Sequence, residues 1–377
     1  MKRLIDICDI QYGYAFDSKC FTEDSSYPQL VRIRDVKRGY SETYYSGDYP
    51  EEYILSEGDL LVGMDGEFNI ARWKCSGALL NQRVCKLVAK IGTNEEYLRF
   101  AMSKSLKEIE QRTAFVTVKH LSAKELNKLE LDVPELTKQD KIADILSRLE
   151  RVIEARKEEL EELDGLIKAR FVEMFGDPVT NPKGLPIVTL GELSELITKG
   201  ASPSWQGFSY TDDSSQTIFV TSENVREGYI DLSLPKYIED GFNEKQKRSV
   251  IHKGDFLINI VGASIGRAAQ FNLDCKANMN QAAALVRVKD SRVRDKYLLT
   301  YLNSDRAQRM YDSMKSDTGR ANLSLQDISD LLILLPNVEQ QIEFETFVNQ
   351  VDKSKFIDII NLLKILLFFK RGMYYGN

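Results

Sequence analysis

The fold is decided by one stretch, residues 134–175, which reads PELTKQDKIADILSRLERVIEARKEELEELDGLIKARFVEMF. Its apolar side chains recur at spacings of three, four and seven, at Leu146, Leu149, Ile153, Leu160, Leu163, Ile167, Phe171 and Met174. The series, interrupted near Arg156, predicts a helix from about Gln139 to Phe175, on the order of 55 Å long at about 1.5 Å per residue. One small domain cannot cover so long a helix, so we expect a partner helix.

The partner is predicted at the other end of the chain, where the same pattern returns after Pro336. Phe344, Phe347, Val348 and Val351 lead into an apolar run from Phe356 to Phe369. A whole domain separates the two helices in sequence, so they can lie antiparallel as a coiled-coil spacer.

The apolar run itself is too short to be a membrane anchor. It has fourteen residues and is interrupted by Asp358, Asn361 and Lys364, whereas a bilayer span needs about 20. We therefore expect a buried helix. No signal-peptide core follows the N-terminal residues, because Asp6 comes too early, and a cytoplasmic protein is expected.

Outward from these helices, the two halves of the chain repeat each other in order, at an offset that drifts from 186 to 202 residues. In the first half the matched positions are Leu4, Ile7, Val36, Gly39, Tyr40, Gly58, Asp59, Gly66, Asn81, Gln82, Tyr97, Leu98, Leu121, Ser122, Pro134 and Gln139. In the second half their counterparts, in the same order, are Leu190, Leu193, Val225, Gly228, Tyr229, Gly254, Asp255, Gly262, Asn280, Gln281, Tyr297, Leu298, Leu323, Ser324, Pro336 and Gln341. Single matches arise by chance, but a collinear series indicates a duplicated ancestral unit.

Each unit is predicted to be α+β, with short strands followed by helix. Strand-like runs are 29–33, 59–62, 83–88, 217–221, 256–261 and 284–288, and helical patterns are 95–110 and 295–315. The segment 176–186 is rich in Gly and Pro and ends the first long helix. The predicted organisation is a domain at 1–136, a long helix at 137–177, a second domain at 178–335 and a second long helix at 336–377, an internal repeat with pseudo-twofold symmetry.

Composition excludes several classes of protein. The chain has 377 residues, is 43% hydrophobic and 29% charged, and carries a net charge of −6, so it is globular and two domains long. Half of the acidic excess lies in the first long helix segment, where 8 basic and 11 acidic side chains indicate a solvated face. The five cysteines have no metal-ligand spacing, and we expect reduced thiols and no zinc.

Catalytic motifs are missing from the sequence. Neither a phosphate-binding Gly-x-x-x-x-Gly-Lys-Ser/Thr loop nor a dinucleotide fingerprint occurs, and the stretch 262–266 reads as a glycine turn. The Asn-Pro-Pro-aromatic motif of adenine methyltransferases is also missing, with Asn181-Pro182-Lys183 the nearest approach. We therefore expect a chain that performs no chemistry.

Two similar modules on a rigid spacer suit a ligand with two features a fixed distance apart, and duplex DNA repeats about every 34 Å. The chain resembles the specificity subunit of type I restriction-modification enzymes over nearly its whole length. The likeness rests on 58–61, 64–69 and 80–83 in the first half, and on 199–204, 254–257, Gly262, Gly266, Asn280, Gln281 and 322–324 in the second. The two endings with Pro, Gln and a long helix complete it.

The resemblance implies that each α+β unit is a target-recognition domain that reads one half of a split, double-stranded DNA sequence, with the helices as a ruler. It also implies two methyltransferase subunits that use S-adenosylmethionine to methylate adenine, and ATP- and Mg-dependent restriction subunits that move and cut DNA. This chain would bind no cofactor or metal itself.

The expected DNA contacts are basic, amide, hydroxyl and aromatic residues of loops. In the first unit they are Arg32, Arg34, Lys37, Arg38, Arg72, Lys74, Lys119 and His120, and in the second Lys199, Ser202, Trp205, Lys245, Lys247, Arg248, Arg320 and Asn322. Arg and Lys can pair with guanine and Asn or Gln with adenine, at about 1–3 kcal/mol of discrimination each. The alternative for each is a solvated surface residue. Asn81, Gln82, Asn280 and Gln281 are expected to satisfy backbone groups instead.

Two other functions remain open from sequence alone. One is a two-headed adaptor for protein or carbohydrate, which the mild acidity favours, and the other is an enzyme with a dispersed site. The apolar run at 356–369 either completes the helix pair or forms an interface with a partner subunit.

Overall fold

The computed structural model describes residues 1–66, 68–112, 121–314 and 322–375. Two compact units are present, one built from Met1–Ala155 together with the chain from Lys364 onward, the other from Arg156–Leu363. The boundary falls within each of two long helices.

Eleven short strands and five α-helices begin among the described residues of the first unit, which also contains the end of the last helix of the chain. The strands are β1 (Lys2–Arg3), β2 (Cys8–Tyr12), β3 (Phe21–Thr22), β4 (Leu30–Val31), β5 (Tyr44–Tyr45), β6 (Ile54–Leu55), β7 (Leu60–Gly63), β8 (Asn69–Arg72), β9 (Ala78–Leu80), β10 (Val84–Ala89) and β11 (Glu130–Leu131). The helices are α1 (Leu4–Ile7), α2 (Ile33–Val36), α3 (Glu95–Arg112), α4 (Ala123–Lys128) and α5 (Leu136–Phe175), and α5 continues into the second unit.

The central sheet of the first unit has the order β2-β10-β7-β8, with all neighbours antiparallel. Side chains alternate along β7, so that Leu60 and Val62 pack with α3 and α4 while Leu61 packs on the opposite side with Trp73. A strand buried on both faces needs apolar residues at every position, which is why this run lacks a polar alternation.

The second unit repeats this plan. Its strands are β12 (Ile187–Thr189), β13 (Ser194–Lys199), β14 (Tyr210–Thr211), β15 (Thr217–Val220), β16 (Tyr237–Ile238), β17 (Phe256–Asn259), β18 (Ala268–Gln270), β19 (Ala277–Met279), β20 (Ala283–Val288) and β21 (Leu332–Leu334). Its helices are α6 (Leu190–Leu193), α7 (Gly241–Lys245), α8 (Asp295–Leu302), α9 (Asp305–Met314), α10 (Leu325–Ser329) and α11 (Val338–Tyr375).

The central sheet and two further strand pairings correspond between the two units, whereas β3-β5 and β4-β9-β6 of the first unit stand where the second has one sheet, β14-β16-β15-β19. The order β13-β20-β17-β18 matches the first central sheet, β12 pairs with β21 as β1 pairs with β11, and β15 runs parallel to β19 as β4 runs parallel to β9. In β17, Phe256 and Ile258 face one core and Leu257 faces the other. The duplication inferred from sequence is therefore present in the backbone.

Within the second unit, α5 and α11 lie antiparallel. Arg170 of α5 bonds to Glu343 of α11, and Asp164 of α5 bonds to Lys355 of α11. Residue numbers therefore increase along α11 as they decrease along α5. Arg156, where the apolar series is interrupted, donates to the largely buried Asp358 of α11 at 3.0 Å. A polar pair inside a helix interface favours one register over others.

Three sequence expectations about elements are wrong. The helix predicted over 295–315 is two helices, because the Asn303 side chain donates to Ala268 of the sheet and the chain turns there. The strand predicted over 29–33 ends at Val31, and helix α2 begins at Ile33.

The third wrong expectation concerns the apolar run of α11, which is not buried over its described part. Phe356 is 65% and Ile357 58% exposed, because α5 packs on one side of α11 while the apolar residues of this run are spread around the helix. Within the described ranges, no helix combines the length and hydropathy that crossing a bilayer requires.

Candidate nucleic-acid interface

The predicted cations of the first unit gather around α2 and the turn that follows it. Arg32, Arg34, Lys37 and Arg38 are all exposed. The buried Asp35 holds this segment in place, because its carboxylate accepts the Arg32 backbone N–H at 2.9 Å and the Ser41 hydroxyl at 2.9 Å. The backbone beneath the four cations is therefore fixed while their side chains reach solvent.

Lys74 joins this group through the turn at Gly39. Gly39 has a positive φ of 79°, and a Cβ there would lie 2.6 Å from Cγ of Lys74, so the lysine stem packs over the turn. Arg32 and Arg34 also line an open groove of about 680 Å³ together with Phe21 and Tyr44. Glu23 and Glu42 lie on the same wall and reduce its positive charge.

Arg72 is engaged within the fold. Its guanidinium donates to Glu95 at 2.8 Å, to Glu96, and to the Gly58 carbonyl at 2.7 Å, which ties β8 to the start of α3. Burial alone lowers the pKa of Arg72, but the hydrogen bonds to Glu96 and Glu95 outweigh it and raise the pKa. Its predicted DNA contact stays a prediction, and its observed contacts are structural.

In the second unit, the residues from Lys199 to Trp205 lie beside α7. Lys199 ends β13, and Gly200 is required next because a Cβ there would lie 1.7 Å from the Met279 carbonyl oxygen. Lys245 at the end of α7 donates to the Gln206 carbonyl at 2.8 Å, which brings α7 against this loop. The predicted residues Ser202 and Trp205 occupy the loop itself.

Trp205 is 86% exposed although its loop is well anchored. It lies in a 3₁₀ turn, Ser204–Gln206, that follows the buried Pro203 and ends at Gly207 in the left-handed region. The Phe208 N–H bonds back to Pro203, and the Phe208 ring packs edge-on against Phe242 at 5.5 Å. A rigid backbone thus presents a large aromatic ring to solvent.

Lys247 and Arg248 are exposed on a neighbouring 3₁₀ turn, Lys247–Ser249. The buried Ser249 hydroxyl donates to Asn278 at 2.8 Å, and Asn278 donates to Asn243 of α7 at 2.8 Å. This amide network fixes the turn to β19. Lys247 and Arg248 therefore add two cations beside Lys245 of α7.

The remaining predicted contacts are apart from these groups. Asn322 is exposed and forms a β-bridge with Val261. Lys119, His120 and Arg320 lie outside the described residues.

In the repeated Asn-Gln pairs the asparagine side chains accept backbone N–H groups, as expected, whereas Gln82 and Gln281 are exposed. Asn81 accepts the Gln82 N–H at 2.9 Å, and Asn280 accepts the Ala282 N–H at 3.1 Å. Both pairs lie against a glycine, Gly13 in the first unit and Gly200 in the second. Gly13 recurs 187 residues later as Gly200, so this shared contact could have been predicted from the internal repeat.

The repeated Gly-Asp pairs are turns, as predicted, and each carboxylate holds a cation of the central sheet. Gly58 and Gly254 have φ of 90° and 98°. Asp59 bonds to Lys86 at 2.9 Å, and Asp255 bonds to Arg287 at 2.7 Å. These four charged side chains form ion pairs inside the fold. The candidate interface is therefore formed by the surface residues around α2 and α7.

Comparisons with known proteins agree with this architecture. The family model described as the type I restriction modification DNA specificity domain matches residues 1–164 and again residues 182–366. The EcoBI specificity subunit of Escherichia coli is 31% identical, with 92% of this chain and 77% of that protein covered.

Two solved structures share the fold. The type I restriction-modification S subunit from M. genitalium has a TM-score of 0.53 at 14% identity, covering 97% of this chain and 92% of that one. A chain from a study of complex assembly and conformational transition of the type I system has a TM-score of 0.52 at 20% identity, covering 97% and 94%. With two matched domains and the duplicated fold, the chain belongs to the type I restriction-modification DNA specificity family, as a specificity subunit with two target-recognition domains.

Proposed function

We propose that each recognition domain reads one half of a split DNA sequence and that the two long helices set the distance between the halves. The observation that carries this proposal is the duplicated scaffold, in which the same central-sheet order occurs twice and each copy leads into a long helix, of 40 and 38 residues. The family match gives no support to a protein- or carbohydrate-binding adaptor.

The two domains present different surfaces on this common scaffold, which suits two different half-sites. The first unit holds two exposed cations, Lys37 and Arg38, of which Arg38 lies 3.8 Å from Glu42. At the matching positions of the second unit, Arg226 pairs with Asp231 at 3.5 Å and Glu227 accepts Lys168 at 2.9 Å. We therefore assign DNA contact to the residues around α2 in the first domain and around α7 in the second. Those around α2 are Arg32, Arg34, Lys37, Arg38 and Lys74, and those around α7 are Lys199, Ser202, Trp205, Lys245, Lys247 and Arg248.

Arg72 is left out of the proposed contacts, because two carboxylates hold its guanidinium. The rest of the predicted set is kept. The domains are near neutral, so partner subunits must supply part of the phosphate clamp, since phosphate contacts dominate affinity and carry little sequence information.

The proposed partners are two methyltransferase subunits, joined for restriction by restriction subunits, all acting in the cytoplasm. S-adenosylmethionine, ATP and Mg²⁺ belong to these partners, and the chain itself selects the site without catalysis. Exposed Phe356, Ile357, Ile359 and Leu363 on α11 support an apolar subunit interface, because so much apolar surface on one helix favours burial by a partner.

Replacing Lys247 and Arg248 with alanine is expected to weaken DNA binding without changing the sequence preference. Each phosphate contact contributes about 1 to the slope of log affinity against log salt, so the double variant lowers that slope by about 2. The measurement is a salt titration of the assembled complex on its target DNA. Lys289→Ala, which removes an exposed lysine paired with Glu195, is the matched control and leaves the slope unchanged.

Trp205→Ala is expected to cost about 1–3 kcal/mol of DNA affinity, the range for stacking of a base or sugar on an aromatic ring. The dissociation constant of the assembled complex measures it. Ile187→Ala in β12 is the control, since Ile187 is 50% exposed and lies in the strand that pairs with β21. Equal affinities for wild type and Trp205→Ala would remove Trp205 from the interface.

The proposed function is tested by DNA binding with and without a methyltransferase subunit. We expect salt-dependent, sequence-specific binding that appears when the partner is present. A chain that binds no DNA with any methyltransferase partner would support the adaptor instead, and turnover by the chain alone would indicate an enzyme.

A further inference from the structure

A buried glutamine joins the first turn of each long helix to its own domain. In the first unit Gln139 is 1% exposed. Its amide nitrogen donates to the Pro134 carbonyl at 2.8 Å and the Gly92 carbonyl at 3.2 Å, and its amide oxygen accepts the Asn94 N–H at 2.9 Å. One side chain thereby connects Pro134, just before α5, to the loop that precedes α3.

Gln341 makes the same three bonds in the second unit. It is fully buried, donates to the Pro336 carbonyl at 2.8 Å and the Arg292 carbonyl at 2.9 Å, and accepts the Arg294 N–H at 2.8 Å. The bonded positions differ by 200 to 202 residues, the offset of the internal repeat in this region. The two glutamines therefore form equivalent hydrogen bonds at equivalent positions of the two repeats.

In each unit a tyrosine forms a further hydrogen bond to the segment that precedes the long helix. The Tyr97 hydroxyl donates to the Asp132 carbonyl at 2.6 Å, and the Tyr297 hydroxyl donates to the Leu334 carbonyl at 2.7 Å. Each tyrosine lies one turn into the helix that the glutamine starts, α3 or α8. In each unit, hydrogen bonds of the glutamine and the tyrosine thus join the start of α3 or α8, the segment before the long helix and the long helix itself.

The geometry of such a junction is sensitive to the loss of these bonds. In each unit the amide bonds three backbone groups through hydrogen bonds that are at least partly buried. These groups would lose their partner if the amide were removed, and the chain would shift to recover one. A 40-residue helix spans about 60 Å, so a tilt of about 10° at its first turn moves its last residue by about 10 Å, roughly three base pairs of DNA.

We infer that Gln139 and Gln341 are positioning residues, which fix the angle between each recognition domain and its long helix and thereby the spacer length of the DNA target. The inference rests on the proposed function, in which the helices set the distance between half-sites. Neither glutamine needs to touch DNA for this role.

The test uses the complex of the full chain with its methyltransferase. Its affinity is measured on a panel of duplexes that share both half-sites and differ in spacer length from two bases shorter to two bases longer. Gln341→Met keeps the shape of the side chain and removes the amide. We expect the preference for the native spacer over its neighbours to fall about tenfold, as for the loss of buried hydrogen bonds, with the half-site sequences unchanged.

Gln350→Met is the matched control, because Gln350 is exposed on the same helix and undergoes the same chemical change. It should keep the native spacer preference. Gln139→Met provides an independent test in the first unit, in case Gln341→Met fails to fold, and should also relax the preference.

Uniformly weaker binding to every duplex, with the spacer preference intact, would show that the glutamines only stabilise the fold and would overturn the inference. Loss of all binding in both variants would overturn it as well. A wild-type complex with no preference for a split site would instead contradict the proposed function.

Discussion

Replacing Phe344 with alanine is expected to lower the free energy of unfolding of the second unit by about 3–5 kcal/mol. Phe344 of α11 is fully buried, and its ring lies 5.5 Å from Phe171 and 5.6 Å from Phe175 of α5, measured between ring centres. Tyr297 of α8 stacks on Phe171 at 5.4 Å. Three helices therefore meet at one aromatic cluster, and removing its ring from α11 leaves a cavity between them.

Urea denaturation followed by circular dichroism measures this effect. Phe356→Ala on the same helix is the control, because Phe356 is 65% exposed and its loss should change stability by less than about 0.5 kcal/mol. Equal losses for the two variants would mean that the pairing of α5 with α11 is not what holds the second unit together.

The second large effect is expected at the ion pair of Asp255 and Arg287. The guanidinium donates to both carboxylate oxygens, at 2.8 and 2.7 Å, and the carboxylate also accepts the His252 N–H at 2.7 Å. The side chain of Asp255 is 3% and that of Arg287 17% exposed. The hydrogen bond to Asp255 raises the pKa of Arg287, which favours the charged guanidinium.

Asp255→Ala should therefore cost about 3–5 kcal/mol, because it leaves a largely buried guanidinium without its partner. Replacing both members, as Asp255→Ala with Arg287→Met, should cost less than the sum of the single changes in a double-mutant cycle. Glu223→Ala is the control, since its pair with Lys236 is exposed and should contribute less than about 1 kcal/mol. Additive single effects at Asp255 and Arg287 would contradict the coupling.

Much of the fold was predictable because the duplicated landmarks carry backbone roles. Gly58 and Gly254 repeat since both turns need a positive φ, and Asp59 and Asp255 repeat since both hold a cation of the sheet. The fold class, α+β with two similar domains and two long helices, is confirmed.

Other features depend on contacts that periodicity does not encode. The break between α8 and α9 depends on Asn303 meeting Ala268, about 35 residues earlier in the chain. The exposure of Phe356 depends on which side of α11 packs against another helix. The ion pairs of Arg72 depend on carboxylates of α3 that are distant in sequence. The pairing of Pro134 with Gln139 was visible in sequence, but its role was apparent only when three bonds converged on one amide.

The central claim is that two recognition domains of one chain bind the two halves of one DNA site, which a bound methyltransferase subunit then methylates. Its most direct measurement is to express the chain with its methyltransferase in a host free of other adenine methylation and to map methylated adenines across the genome. The account predicts one motif of two short specific blocks separated by a fixed number of unspecified bases. Methylation at a single continuous motif, or at none while both subunits are folded and associated, would contradict it.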